Sequence, residues 1–419
     1  MKFANRKALV IAMLTFFAGH ELAAQQLVLI SEPAANQINH SPLNPKNVQS
    51  LNKMAVTNVL YGDASIGVLG GQWNTALRGL QLFQIIPDEQ RAQNALTNDF
   101  KWDLIELNYQ LVRRNFTFTA GRKKMKMGVG YVGSPSDIII DPPSPLDPGD
   151  RLFNIKGSDM LQATYNGAKD QIDLFYLPNT EQNTRLYFKT HSFAGRYYRN
   201  LEPFELAAIA RWGTDGTFQA ALNGTVAIGE KLELHTDNMY QVQNTALYPG
   251  DAGLASKQQP VFRLLLGGQW SPVEKFNIVF EGIHFSDGYS NAEWDQFNQL
   301  LDVLPRMGFV PVDGAPVHAG EALGRLYEAK DFIRKRNYLF LRLFKTGIIK
   351  KVDVEWVNYI GLDDGGFFSR FSLYYQLRER IGFYGHAQKI TGRNSGFGFF
   401  DYSQNLIVGV KVRWWNKDK

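Results

Sequence analysis

Alternation of apolar and polar residues with a period of two runs through most of the chain, and it leaves few folds open. Phe204, Leu206, Ala208, Ala210 and Trp212 stand against Glu205 and Arg211; Phe276, Ile278 and Phe280 stand against Asn277 and Glu281. Further on, Val352, Val354 and Trp356 oppose Asp353 and Glu355, and Leu406, Val408, Val410, Val412 and Trp414 oppose Lys411 and Arg413. Successive side chains of a strand point to opposite faces, so each stretch predicts a strand with one apolar and one polar side. After the N-terminal leader described next, no stretch approaches the roughly 18 consecutive apolar residues that a membrane helix needs.

Lys2, Arg6 and Lys7 precede the apolar run Ala8 to Ala18, and Leu22-Ala23-Ala24 follows. This is the order of a secretory signal peptide, so residues 1–24 are expected to be removed after Ala24, leaving 25–419 as the exported domain. An exported chain with no cysteine must hold itself by a core or by a closed hydrogen-bonded sheet. Mean hydropathy is slightly negative, −0.25, which still allows a membrane barrel, because only alternate strand residues enter lipid. Loss of Lys2, Arg6, Lys7 and Glu21 lowers the net charge from +5 to +3. That weak charge, without runs of basic residues among aromatics, argues against nucleic-acid binding.

The connections separate a soluble sandwich or propeller from a membrane barrel. From Arg113 onward, short turns at 113–115, 166–169, 200–203, 229–231, 271–274, 346–350 and 378–380 alternate with longer or glycine-rich loops. A transmembrane barrel has this asymmetry, with short periplasmic turns and long extracellular loops. The expected fold is therefore all-β, a transmembrane antiparallel β-barrel. It has about 16 strands counted back to Gln72, or 18 if two earlier segments, Leu27–Ile30 and Val56–Leu69, join. The loop 287–335 has helix-compatible spacing at Trp294–Leu304 and Glu321–Ile333.

Residues Asn115 to Tyr165 carry the functional signal. Phe116, Phe118 and Ala120 alternate with Thr117 and Thr119, then the pattern slips at Gly121, which predicts a bulge there. Arg122, Lys124 and Lys126 follow as a basic strand end. The stretch Tyr131 to Gly157 holds five prolines with Asp137, Asp141, Asp147 and Asp150. Ala120-Gly121-Arg122, Gly128, Gly130 and Pro135-Ser136-Asp137 together resemble a local pattern of the Gram-negative outer-membrane porin superfamily, including alginate-export-type barrels. Lys123, Met127 and Ser134 depart from it, standing where glutamine, tryptophan and asparagine are frequent. The resemblance implies a pore but not its solute.

A barrel of this size leaves an aqueous bore unless something fills it. Candidate wall residues on the polar faces are Glu106, Arg211, Arg263, Glu281, Arg342, Asp353, Glu355, Arg370, Lys411 and Arg413. Two placements of the 131–157 loop are open. Folded inward, as in the porins the chain resembles, it would set Asp137, Asp141 and Asp147 against Arg122, Lys124 and Lys126 as a charged constriction; lying outside, the same residues are solvated. His235, His284 and His386 sit singly on different strands, so no metal site or other cofactor is expected, and no Ser/His or Asp/His motif suggests an enzyme. The expected function is a channel for passive passage of small hydrophilic solutes. The alternatives are a substrate-specific export or uptake pore, for a polysaccharide for example, and a structural or partner-holding barrel. Expected partners are outer-membrane lipid and lipopolysaccharide, the outer-membrane assembly machinery and small polar solutes; a homo-oligomer is compatible with the pattern.

Overall fold

In a membrane every backbone amide and carbonyl must find a partner within the protein, and strands achieve this only in a closed sheet. The computed structural model, which describes residues 22–38, 51–88, 93–139, 156–185, 190–243, 246–250, 253–257, 259–303, 307–322, 335–392 and 402–415, is such a sheet. It opens with four long strands, β1 (Leu22–Ile38), β2 (Met54–Val68), β3 (Gly71–Asp88) and β4 (Gln93–Arg113). Shorter ones follow: β5 (Phe116–Lys123), β6 (Ser158–Asn166), β7 (Asp170–Leu177), β8 (Ser192–Asn200), β9 (Phe204–Gly213), β10 (Phe218–Ile228) and β11 (Leu232–Gln241). A helical turn, α1 (Glu181–Arg185), lies between β7 and β8. Two strands of a separate small sheet, β12 (Leu247–Gly250) and β13 (Gly253–Ser256), precede the barrel strands β14 (Val261–Trp270) and β15 (Phe276–Phe285). Helix α2 (Asn291–Val303) and the strands β16 (Phe309–Val312) and β17 (Ala315–His318) come next. The barrel then finishes with β18 (Asn337–Ile349), β19 (Val352–Gly361), β20 (Phe367–Arg378), β21 (Ile381–Thr391) and β22 (Tyr402–Trp415).

Each barrel strand pairs antiparallel with the next, and β22 pairs with β1, Arg413 opposite Val28, so the 18-stranded sheet has no edge. Both early segments join, which settles 18 strands over 16. The strand β1 begins at Leu22, before the expected cleavage point.

The alternation sorts the two faces as expected. Along β9 and β10 the outward side chains include Leu206, Trp212 and Leu222, at 44%, 65% and 54% exposure, whereas Ile209, Arg211 and Asn223 between them are buried inside. An apolar belt this continuous is matched by lipid. Trp73 and Trp270 sit on it near the short turns and Trp212 near the long loops, where interfacial aromatics belong.

One register expectation is corrected. Pairing runs unbroken through Gly121, opposite Asn108 on one side and Met160 on the other. Its positive φ of 119° brings it so close to the Leu107 carbonyl that a Cβ would lie 2.3 Å from that oxygen. The bulge is instead in β4, where Leu104, Ile105 and Glu106 oppose only Leu77 and Ala76. It turns Ile105 from the outward face to a buried inward cluster with Val28, Ile30, Tyr61 and Ala76.

Beyond the rim, the β11–β14 and β15–β18 connections build a small unit with its own core. Tyr248, Leu254, Tyr289, Trp294, Phe297 and Val310 are buried together there. Helix α2 starts earlier than the apolar spacing suggests because Ser290 and Glu293 form a reciprocal cap: the Ser290 amide donates to Glu293 Oε2 at 2.7 Å and the Glu293 amide to Ser290 Oγ at 3.3 Å. The expected helix at 321–333 lies outside the described residues, except that 319–322 are helical.

Two tests follow from this architecture. Leu222→Arg places a charge in the lipid belt and is expected to destabilise the barrel folded in bilayers by about 2–4 kcal/mol, read by equilibrium refolding into vesicles. Burial alone would raise the Glu293 carboxyl, but hydrogen bonds from Lys257 and Ser290 outweigh it and hold the group below its ordinary 4.5. A carboxyl depressed by folding stabilises above its unfolded pKa and loses that contribution as pH falls through the folded one. Amide protection of α2 should therefore fall on acidification below pH 4.5, and Glu293→Gln should flatten that dependence.

Candidate functional site

The chain leaves the wall after Lys123 and rejoins it at Ser158, and the described part of the excursion, 124–139, runs inside the barrel without regular secondary structure. Tyr131 marks how far it goes. Its ring lies 5.8 Å beneath the Arg342 guanidinium of β18, and its hydroxyl donates to Gln269 Oε1 of β14 at 2.7 Å. Counted round the 18-stranded sheet, β18 is nine strands from β5, the opposite side of the bore. The segment then turns back, and the Ile139 carbonyl accepts from Ser158 Oγ at the start of β6, at 2.7 Å.

An irregular backbone inside a protein exposes amides that no ladder satisfies, so something must accept from them. Three carboxylates do. Asp137 takes the Met127 and Gly128 amides at 2.7 and 2.8 Å, closing the segment on itself. Asp237 of β11 takes Val129 and Ser136 at 3.0 and 2.7 Å, and Glu281 of β15 takes Tyr131 and Val132 at 2.6 and 2.9 Å. Hydrogen bonds to ionised acceptors are roughly twice as strong as neutral ones. His235 Nε2 lies 2.9 Å from Glu281 Oε1, and both side chains are buried. Asn223 donates to the Met127 carbonyl and to Ser136 Oγ, at 3.0 and 2.8 Å.

Apolar contacts fill the spaces between these latches. Met127, Ile138 and Ile139 pack into a buried cluster with Met160, Phe175 and Met239 from the inward faces of β6, β7 and β11. Val132 packs with Leu265, Val279 and Phe340 on the far wall. Gly128 is required by space: a Cβ there would stand 2.1 Å from Ser134 Cβ and 2.5 Å from Asp237 Oδ2. Gly267 makes room on the wall in the same way, since a Cβ would lie 2.7 Å from His235 Nε2.

Several expected site residues take other places. Arg122 is corrected: it pairs with Asp159 across the sheet, on the face that carries Ala120 and Leu161 outward, and binds it through Nε at 2.7 Å and Nη2 at 3.1 Å. Without a bulge at Gly121, the inward basic residue is Lys123, which reaches Gln162 Oε1 at 3.1 Å. Asp137 is buried among amides and does not face the lysines across a gap. Lys124 Nζ reaches the Tyr61 hydroxyl of β2 at 3.3 Å, and Lys126, exposed, donates to the Gly130 carbonyl at 2.9 Å. Asp141 and Asp147 lie outside the described residues.

Most of the expected wall residues face inward but are tied up. Glu281 and Arg211 are buried beneath the segment, with Arg211 Nη1 3.4 Å from the Ile138 carbonyl. Glu355 bridges Arg342 at 2.5 Å and Arg370 at 3.3 Å, and Arg263 pairs with Asp287 at 2.8 Å. Glu106 accepts from Asn108 at 2.9 Å, and Asp353 accepts the Gly347 amide at the β18–β19 turn. Lys411 and Arg413 lie half-buried on the inward face of β22. Pattern reasoning did not single out Asn223 or the His235–Glu281 pair as anchors. The available signal was their mid-strand position on the polar face, which is where a lumen-crossing segment needs partners.

Asp237→Ala removes the acceptor of two amides at once. Because each hydrogen bond to a charged group is worth about 1.5–3 kcal/mol, hydrogen exchange at Val129 and Ser136 should accelerate by at least about tenfold. Amides of the β9–β10 ladder should keep their protection.

No protein-family model matches the chain, and no curated protein sequence matches it. Its fold does have counterparts among solved structures. OccK7 (OpdD) of Pseudomonas aeruginosa superposes with a TM-score of 0.54 at 9% identity, over 94% of this chain and 99% of that one. OccAB3 of Acinetobacter baumannii gives 0.51 at 10% identity over 94% and 99%, and OccK5 (OpdH) of P. aeruginosa gives 0.51 at 10% over 94% and 98%. With its closed 18-stranded barrel, the chain has the fold of the outer-membrane porins.

Proposed function

We propose that this protein is an outer-membrane channel for passive passage of small hydrophilic solutes, with residues 124–139 setting its narrowest point. The observation that carries the reading is the crossing itself: a segment latched on the wall opposite its origin narrows an 18-stranded bore. Six amide bonds to three carboxylates support a fixed constriction rather than a drifting loop. Exposed Lys126 and the Lys124–Tyr61 contact give that constriction a basic edge. No catalytic step is part of this reading.

One observation favours the second reading, a pore that selects its solute. On the inward faces of β20 and β21, His386 lies between Tyr374 and Tyr384, with ring centroids 5.4 and 5.0 Å away, beside the Arg342–Glu355–Arg370 bridge. Aromatic faces next to paired charges suit a solute with both apolar and polar sides.

Single-channel recording of the mature protein in planar bilayers tests the channel. The expected result is a stable small-conductance channel. Asp237→Ala/Glu281→Ala should conduct more, and in Lys126→Glu the reversal potential across a salt gradient should move toward cation preference. Inserted barrels that stay silent both in the native form and in the unlatched variant would overturn the proposal. Current block by one class of solute, lost in Tyr374→Ala, would favour the selective pore.

A further inference from the structure

The outward surface is grooved across β4 to β8. The concavity holds about 540 Å³ and lies on the lipid side of the wall. Its floor is Ala120 and Ala163, small residues at positions where the neighbouring strands carry large ones. Its sides are Tyr109, Leu161, Leu174 and Phe193; the last two are 60% and 58% exposed, so they stand clear of the sheet. Toward the short turns the groove meets an aromatic step, Phe116 stacked on Phe118 at 6.3 Å and against Tyr165 at 5.3 Å.

Below that step the rim is basic. Arg114 is exposed in the β4–β5 turn, Lys169 is exposed in the β6–β7 turn, and Arg199 faces outward at the end of β8. The acidic groups nearby are Asp170, which lies 3.5 Å from Arg199 and accepts from the Tyr197 hydroxyl, and Glu202 in the next turn. From Leu174 to Asp170 is four strand residues, or about 13 Å, the separation of a buried acyl segment from its headgroup.

We infer that this groove and rim form a discrete binding site for an anionic phospholipid of the periplasmic leaflet. One acyl chain lies over Ala120 and Ala163, and the phosphate meets Arg114, Lys169 and Arg199. The inference rests on the transmembrane orientation of the barrel and not on whether the bore conducts. Charge favours lipid over a second copy of the chain. A two-fold interface sets a patch against itself, so it would bring each basic rim onto its own copy, whereas an anionic headgroup neutralises it.

Native mass spectrometry of the refolded mature chain, released from detergent with phosphatidylglycerol or with phosphatidylethanolamine of the same acyl chains, tests the site. One phosphatidylglycerol should be retained about tenfold more tightly than phosphatidylethanolamine. Lys169→Glu/Arg199→Glu should erase the headgroup preference, each lost positive charge costing about fivefold. Ala163→Phe fills the floor with a lipid-compatible side chain, so the barrel folds, checked by heat-modifiable gel migration, and it should retain neither lipid specifically. Equal retention of both lipids by the native protein would overturn the inference, as would unchanged retention in Ala163→Phe. A dimer of the native protein lost in Ala163→Phe would assign the groove to a second copy instead. Channel recordings are independent of all these readouts, so failure here leaves the constriction standing, and a silent barrel leaves the lipid site testable.

Discussion

The interior depends on one constraint, that a backbone without a ladder must still have its amides satisfied. Sixteen residues, 124–139, cross the lumen in no regular conformation, and nothing in their own sequence except Asp137 supplies acceptors for the amides described above. The wall provides the rest, Asp237 and Glu281 from β11 and β15, two strands that flank β14 and lie far from the segment in sequence. Asp237 and Glu281 are tolerable in a buried place because both oxygens of each accept a hydrogen bond; an isolated buried charge would be costly. The glycines follow from the same need. Gly128 lets the chain come close to Asp237, and Gly267 lets His235 reach Glu281.

Around this seam the barrel interior is closer to a protein core than to a water-filled pipe. Two apolar clusters flank the segment, one on β6 to β11 and one on β14 to β21, so the crossing is wedged by packing as well as latched by charge. Charge that does face the bore is largely paired, as in the Arg342–Glu355–Arg370 bridge. The wall is therefore rigid and polar without being strongly of one sign. The unit on α2 beyond the rim has a different logic: it buries aromatic side chains from two loops and so gives long connections a core of their own.

Much of the fold was legible in the pattern because a strand's period is two and lipid tolerates only one kind of side chain outside. Phe204 to Trp212 and Leu406 to Trp414 are unambiguous for that reason, and the alternation of short and long connections follows from antiparallel closure. The site was less legible. The slip at Gly121 is real as a backbone feature, yet a change of register there and a change at Ile105 predict similar sequences. Only pairing across three strands decides between them, and it moved Arg122 out of the bore and Lys123 into it.

The sequence by itself determined two-faced strands through local side-chain alternation, and the regular exchange of short turns with longer connections pointed from these strands to a closed antiparallel sheet with an apolar outside. It also marked 131–157 as an unusual connection with glycines and aspartates at its start. That the described start of this connection, up to Ile139, runs inside the lumen, reaches β18 and is held by Asp237 and Glu281 was decided only by the tertiary structure. The reason is physical: these contacts join residues more than 100 positions apart. Their energy depends on burial and geometry that no local pattern encodes.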